Sequence, residues 1–158
     1  MARYRARIET QWTPDEAFVY LSDFSTSVEW DPSVVEAGRL GTGAVGQGTE
    51  FRVVTSFLGR QTPLRYRVVE YEPPDAVTFV AESPTVISRD RITFETIATG
   101  TRVTGTRVTY DAHLRLKGLL RLADPLLALA FNRIGNPALA GLREVLGRSA
   151  PGAVEAAA

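Results

Sequence analysis

The sequence predicts an α+β domain, in which a curved antiparallel sheet of about seven strands packs around one long C-terminal helix and two short helices follow the first strand. Apolar and polar residues alternate with a period of two, as in half-buried strands, over most of residues 34–116. After Gly118 the apolar spacing becomes helical. A long sheet with a single late helix buries both apolar surfaces by curling around that helix, which favours this two-layer arrangement.

The first strand and the first helices have clear signals. In residues 3–8 apolar side chains alternate with three arginines, which predicts a half-buried strand whose arginines face solvent. Thr13, Pro14 and Glu16 have the spacing of a capping box with proline in the first helical turn. A second short helical turn should follow and end before Pro32.

The remaining strands are separated by glycine- and proline-containing turns. Alternation predicts them over residues 34–40, 49–57, 63–72, 75–82, 88–97 and 102–116. The final helix should begin at Asp124 and Pro125, kink or restart at Asn136–Pro137, and end at Gly147. A pocket between such a sheet and its helix is the default binding site.

Composition limits the possible functions. The 158 residues suit one domain, placed at 1–148, with a flexible tail at 149–158. There is no cysteine, a single histidine, and 18 residues of each charge, so we expect no metal site and no nucleic-acid partner. The chain lacks a signal-peptide core and an apolar run long enough to span a bilayer. We therefore expect a cytoplasmic protein without stable membrane insertion.

Residues 41–46, GTGAVG, match the glycine pattern of dinucleotide-binding loops. Such a loop must be followed by a helix, whose N-terminus meets the pyrophosphate. The residues that follow here alternate like a strand, so we reject a nucleotide site and expect no cofactor. The simplest interpretation is a hairpin loop with glycines at positive φ.

Four polar residues are candidates for catalysis. Tyr66 and Tyr110 fall on the predicted inward face, where a phenol can donate a proton or simply be part of the core. Asp90 shares a face with apolar residues, and Glu70 shares the parity of Tyr66. Both acids could instead lie in solvent beside arginines. His113 is predicted to face outward, and with no nucleophile motif in the sequence we do not expect covalent catalysis.

Four segments resemble the polyketide cyclase/dehydrase family of the START-like (SRPBCC) superfamily: FVYLSDFSTSVEWDP, GAVGQGTEF, YRVVEYEPPDAVTF and LADPLLALAF…ALAGLREVL. The likeness runs from about residue 3 to residue 147. It implies a helix-grip fold with a deep, mostly apolar cavity for a small hydrophobic ligand. Relatives with this fold include polyketide cyclases, lipid-transfer domains and hormone receptors, so the likeness does not specify the chemistry.

The resemblance also suggests roles for the glycine-rich loop and for the helix end. Gly41, Gly43, Gly46 and Gly48 would form a gating loop over the cavity mouth, or remain turn residues only. Trp30 would line the entrance or plug a turn. The expected ligand-binding wall draws apolar and aromatic residues from both layers: Trp30, Phe51, Val53, Tyr66, Val68, Phe79, Ile92, Tyr110, Leu126 and Phe131.

Three functions are consistent with these residues. The first is binding of a small hydrophobic molecule, polyketide-like or lipid, in the cavity. The second is a polyketide cyclase, dehydratase or aromatase that positions a reactive chain and supplies proton donors. The third is an interaction module that uses the basic outer face of the first strand. A monomer or a homodimer is expected.

Overall fold

The computed structural model describes residues 1–57 and 59–151, and it confirms the predicted α+β class. Within these residues seven strands form one antiparallel sheet in the order β1-β7-β6-β5-β4-β3-β2. The strands are β1 (Ala2–Thr10), β2 (Val34–Leu40), β3 (Glu50–Phe57), β4 (Arg60–Glu72), β5 (Ala76–Glu82), β6 (Val86–Thr99) and β7 (Arg102–Leu116). Only β1 pairs with a strand distant in sequence, so the sheet is otherwise a meander.

Two short helices follow β1, as predicted: α1 (Pro14–Ser22) and α2 (Ser27–Trp30), with a 3-10 turn at Phe24–Thr26 between them. The predicted capping box is present, because the Glu16 amide donates to Thr13 Oγ1 and the Thr13 amide donates to Glu16 Oε2. The buried side of α1 lies on the core, so local sequence signals fix where this helix begins and which face it buries.

The long helix α3 (Asp124–Leu146) follows a second 3-10 turn at Gly118–Ala123. Pro137 lies inside α3, so the helix does not restart there as one of our expectations had it. The predicted cap at Asp124 is also wrong, because Ala123 occupies the N-cap position without a side-chain hydrogen bond. Proline removes one backbone hydrogen bond but does not end a helix that tertiary packing supports.

The packed part of the chain extends slightly past the boundary predicted at residue 148. Ala150 is buried against the core, and the carbonyl of Arg148 accepts a hydrogen bond from Trp12 Nε1 at 2.7 Å. The rest of the predicted tail, residues 152–158, lies outside the described residues. No helix among the described residues is both long and apolar enough to cross a bilayer.

Helix α3 approaches α2 closely at a glycine. A Cβ added to Gly141 would overlap the backbone carbonyl of Trp30, so only glycine permits this contact. The next residue, Leu142, and Val145 and Leu146 about one turn further on are buried in the core. The C-terminal half of α3 therefore packs directly onto the rest of the protein, with its distance from α2 set by Gly141.

We expect Gly141→Ala to lower the free energy of unfolding by about 1–3 kcal/mol, because the added methyl group forces the α2–α3 contact apart. Gly46→Ala is the matched control, since nothing lies within 4 Å of its added Cβ. Urea unfolding of both variants measures the difference. Equal stability of the two variants would contradict the close contact.

Candidate functional site

A cavity of about 360 Å³ lies between one end of the sheet and α3. Strands β1, β2, β3, β4, β6 and β7 form its sheet side, and α2 and α3 close it. Most of the side chains around it are apolar or aromatic, including Phe24, Val34, Val53, Leu64, Val86, Ala112, Leu114, Leu127, Phe131, Leu139 and Leu142. The cavity is therefore a largely apolar chamber between the two layers of the fold.

Half of the predicted ligand-binding wall borders this cavity: Trp30, Val53, Tyr66, Tyr110 and Phe131. Four other members, Phe51, Val68, Phe79 and Ile92, do not border it and are at most 1% exposed in the adjoining core. Phe24 separates the two regions, because it lines the cavity and stacks on Phe79 with ring centroids 4.3 Å apart. Alternation identified the inward face correctly but could not tell solid core from cavity wall.

Leu126 was placed on the wrong face of α3. It is 72% exposed, whereas its neighbour Leu127 lines the cavity together with Phe131, Ala138 and Leu142. These residues recur at helical spacing on one side of α3. The N-terminal half of this helix is apolar nearly all round, so the sequence did not fix which side turns inward.

A chain of hydrogen bonds crosses the cavity wall from β4 to β6. Tyr66 Oη donates to Ser88 Oγ at 3.1 Å, and Ser88 Oγ donates to Asp90 Oδ2 at 3.2 Å. Asp90 is only 5% exposed and lines the cavity. The structure thus brings together Tyr66, Tyr110 and Asp90, three of the four candidate catalytic residues, on one wall.

Burial raises the pKa of Asp90 to about 7, although hydrogen bonds from Ser88, Tyr66 and Tyr110 favour the ionised form. The nearby Asp31 carboxylate adds to the rise. Burial also holds the pKa of the Tyr66 and Tyr110 hydroxyls well above the ordinary tyrosine value. Asp90 therefore exchanges its proton near neutral pH, while the two tyrosines remain donors.

Asp31 and Ser88 are site residues that sequence reasoning missed. Asp31 follows α2 and lines the cavity, and its Oδ1 accepts from the Ser33 amide at 2.8 Å and from Ser33 Oγ at 2.7 Å. Burial raises the pKa of Asp31. Ser88 lies two residues before Asp90, so strand alternation would have placed both side chains on the inward face. The sequence around Asp31 indicated only a turn.

Glu70, the fourth candidate, lies on the opposite face of the sheet. A bulge between Val68 and Glu70 shifts the register of β4, so Glu70 pairs with Thr78 instead of continuing the inward parity. There it accepts hydrogen bonds from Thr78 Oγ1 and from Arg91, the latter at 2.9 Å. The expectation that Glu70 faces the cavity is therefore wrong.

The glycine-rich loop joins β2 to β3 as a hairpin connection, and Gly41, Gly43 and Gly48 have positive φ. The gating prediction needs this loop at the cavity mouth, but none of the four glycines lines the cavity. The loop precedes Glu50, at the end of β3 away from the cavity-lining Val53 and Thr55. The gating role of this loop stays a prediction.

The predictions that His113 and the arginines of β1 face outward agree with the structure. His113 lies outside the cavity lining and contacts Asp111, with Nε2 2.9 Å from Oδ1. Arg3 also pairs with Asp111, and Arg5 lies 3.9 Å from it. The basic outer face of β1 is thus partly neutralised by its neighbour β7.

The fold and the cavity together define a helix-grip protein, a curved sheet closed by a C-terminal helix. A family model described as polyketide cyclase / dehydrase and lipid transport matches residues 1–147. The chain belongs to this family. No curated protein sequence matches it significantly.

Solved structures with the same fold share little sequence with this chain. A START superfamily protein from Mycobacterium smegmatis is 11% identical, with a TM-score of 0.72 over 92% of this chain and 97% of that one. A protein from Thermus thermophilus is 17% identical, with a TM-score of 0.71 over 91% and 96%. The di-domain ARO/CYC protein BexL is 16% identical, with a TM-score of 0.64 over 91% and 46%. These similarities show the fold alone.

Asp90→Asn should change how stability depends on pH. The unfolded chain releases this proton at an ordinary aspartate pKa, so wild-type stability falls as pH rises from about 4 through the folded pKa of about 7. Relative to wild type, the asparagine variant should gain about 2–3 kcal/mol between about pH 5 and pH 8. Urea unfolding across that range measures the gain, and parallel pH profiles would contradict it.

Proposed function

We propose that this protein binds a small, mostly apolar molecule in the cavity between the sheet and α3. The observation that carries the proposal is an apolar chamber of about 360 Å³ with one polar wall, formed by Tyr66, Ser88, Asp90 and Tyr110. Ligand pockets in proteins have this size and this character, with a few polar groups that fix orientation within a hydrophobic lining. Family membership supports the same proposal.

The two parts of the cavity would contribute differently to binding. The apolar wall favours the binding of any apolar ligand, in proportion to the apolar area that binding removes from water. The polar wall discriminates between ligands, because a ligand must supply hydrogen-bonding partners to polar groups that are already removed from solvent. The ligand would therefore lie with its apolar body along α3 and its polar end near Asp90. The expectations of a cytoplasmic location and of a monomer or homodimer stay predictions.

Filling the cavity should abolish binding. Ala112→Phe places an aromatic ring in the chamber, whereas the matched variant Ala98→Phe adds the same ring at an exposed position of β6. We expect Nile red, an uncharged apolar dye, to bind wild type and Ala98→Phe alike and Ala112→Phe at least about tenfold more weakly, a difference of about 1.4 kcal/mol. Dye fluorescence measures this. Unchanged affinity in Ala112→Phe would refute binding in the cavity.

A second candidate function is polyketide cyclisation or dehydration in the same cavity. It is favoured by the Tyr66–Ser88–Asp90 chain, which offers hydroxyl donors beside a carboxyl whose pKa is about 7. Aldol closure of a poly-β-ketone needs a base to remove a proton next to one carbonyl and a donor to polarise another. Asp90 would serve as the base and Tyr66 or Tyr110 as the donor, without a covalent intermediate.

Turnover of a poly-β-keto thioester would test the enzymatic candidate. If Asp90 is the base, Asp90→Asn should lower the rate of aromatic product formation by about a hundredfold or more, and Tyr66→Phe by a smaller factor. Glu70→Gln, which alters a carboxylate outside the cavity, serves as the control. Absorbance of the aromatic product gives the rates. Equal rates in wild type and Asp90→Asn would exclude this mechanism.

A further inference from the structure

The charge of the cavity wall is entirely negative. Asp31 and Asp90 are the only residues with ionisable acidic or basic side chains of the Asp, Glu, Lys, Arg or His type among the described residues that line it. The two acids lie close enough that Asp31 raises the pKa of Asp90. Neither has an arginine, lysine or histidine partner within hydrogen-bonding or ion-pairing distance among the described residues. Ser33, Ser88 and tyrosine hydroxyls are their hydrogen-bonding neighbours.

A pair of acids without a cation is costly when one of them, Asp90, is buried and the other, Asp31, is partly buried, because removing a carboxylate from water is repaid only by a nearby cation or by protonation. On the outer face of the same sheet, by contrast, an acid has a cationic partner, because Glu70 pairs with Arg91. The adjacent residue, Asp90, faces inward without such a partner. The cation that would balance the inner pair is thus missing from the cavity wall, and a ligand is able to supply it.

Aromatic rings surround these acids. Trp30 and Tyr110 line the cavity in an edge-to-face pair with ring centroids 5.8 Å apart, and the ring centroids of Phe24 and Tyr66 are 5.0 Å apart. Aromatic faces attract ammonium groups through their quadrupoles, most strongly where water is excluded. Carboxylates combined with aromatic rings are the chemistry that recognises an organic cation.

Two further polar atoms on the wall are buried without a partner. Ser27 Oγ and Trp30 Nε1 make no hydrogen bond within the part of the chain that the structure describes, and their residues are only 1% and 4% exposed. Both residues line the cavity. Buried polar groups are normally satisfied, so Ser27 Oγ, which is able to accept a hydrogen bond, indicates that a donor on a ligand belongs on this wall. Trp30 Nε1 is a donor only and gives no preference for a cation.

We infer that the cavity takes an apolar molecule whose polar end is a protonated amine and that it disfavours fatty carboxylates. This inference rests on the binding function proposed above. The ammonium group lies beside Asp90 and Asp31, among the rings of Trp30, Tyr66 and Tyr110, and the hydrocarbon part extends along α3. An anionic ligand meets two acids and no compensating base, which opposes its binding.

Three probes with the same hydrocarbon chain test this inference: decylamine, decanol and decanoic acid, titrated by calorimetry near pH 8. We expect decylamine to bind about tenfold tighter than decanol, and decanoic acid to bind more weakly than either. Ala112→Phe should abolish decylamine binding, which assigns the heat to the cavity and not to the outer surface. Decylamine binding that survives in Ala112→Phe would overturn the inference.

The preference for decylamine over decanol should also depend on pH. Decylamine stays protonated and decanol stays uncharged between about pH 5.5 and pH 8, so a change in their affinity ratio reports on the protein. The ionisable groups on the wall are Tyr4, Asp31, Tyr66, Asp90 and Tyr110, of which Asp90, with a pKa of about 7, titrates in this range. The advantage of decylamine should grow several-fold as pH rises and Asp90 loses its proton.

Asp90→Asn should lower decylamine affinity about tenfold and remove most of this pH dependence. Asp111→Asn, which alters an acid on the outer face of β7, should keep the wild-type preference.

Equal affinities for decylamine and decanol, or tighter binding of decanoic acid, would overturn the amine inference and leave the proposed function standing. Failure of all three probes and of Nile red would instead remove the proposed function itself.

Discussion

The contact between α3 and α2 at Gly141 determines the interior of this protein. Because the glycine allows the helix to lie against the Trp30 backbone, the following residues Leu142 and Leu146 reach the core and are 2% exposed each. Thr10 Oγ1 donates to the Leu146 carbonyl at 2.6 Å and ties the same end of the helix to β1. The N-terminal half of α3 contacts the Tyr4 ring of β1 through Phe131 and Gly135, and the cavity is the space between this half and the sheet.

This arrangement divides the interior into a solid part and an open part that perform different tasks. Phe51, Phe79 and Ile92 fill the solid part, where close packing supplies stability. The open part carries the costly groups, above all the Asp90 carboxyl, whose pKa burial raises to about 7. Proteins keep such groups when a function needs them, since a core of the same volume without buried charge is more stable.

A single bulge in β4 decides which acids face the cavity. Without it Glu70 would keep the inward parity of Tyr66 and Val68. With it, Glu70 turns to the outer face and meets Arg91, and among the described residues that line the cavity the remaining acids, Asp31 and Asp90, have no basic partner. The negative character of the cavity is therefore a consequence of strand register as much as of composition.

Local patterns in the sequence determined the element order, the capping box at Thr13 and the inward face that holds Tyr66, Tyr110 and Asp90, because these depend on neighbours a few residues apart. The side of α3 that faces the cavity, the β4 bulge and the proximity of Asp31 to Asp90 were decided only by the tertiary structure. Each depends on how elements that are far apart in the sequence pack and pair. The hydrophobic period of a single segment carries no information about such long-range contacts.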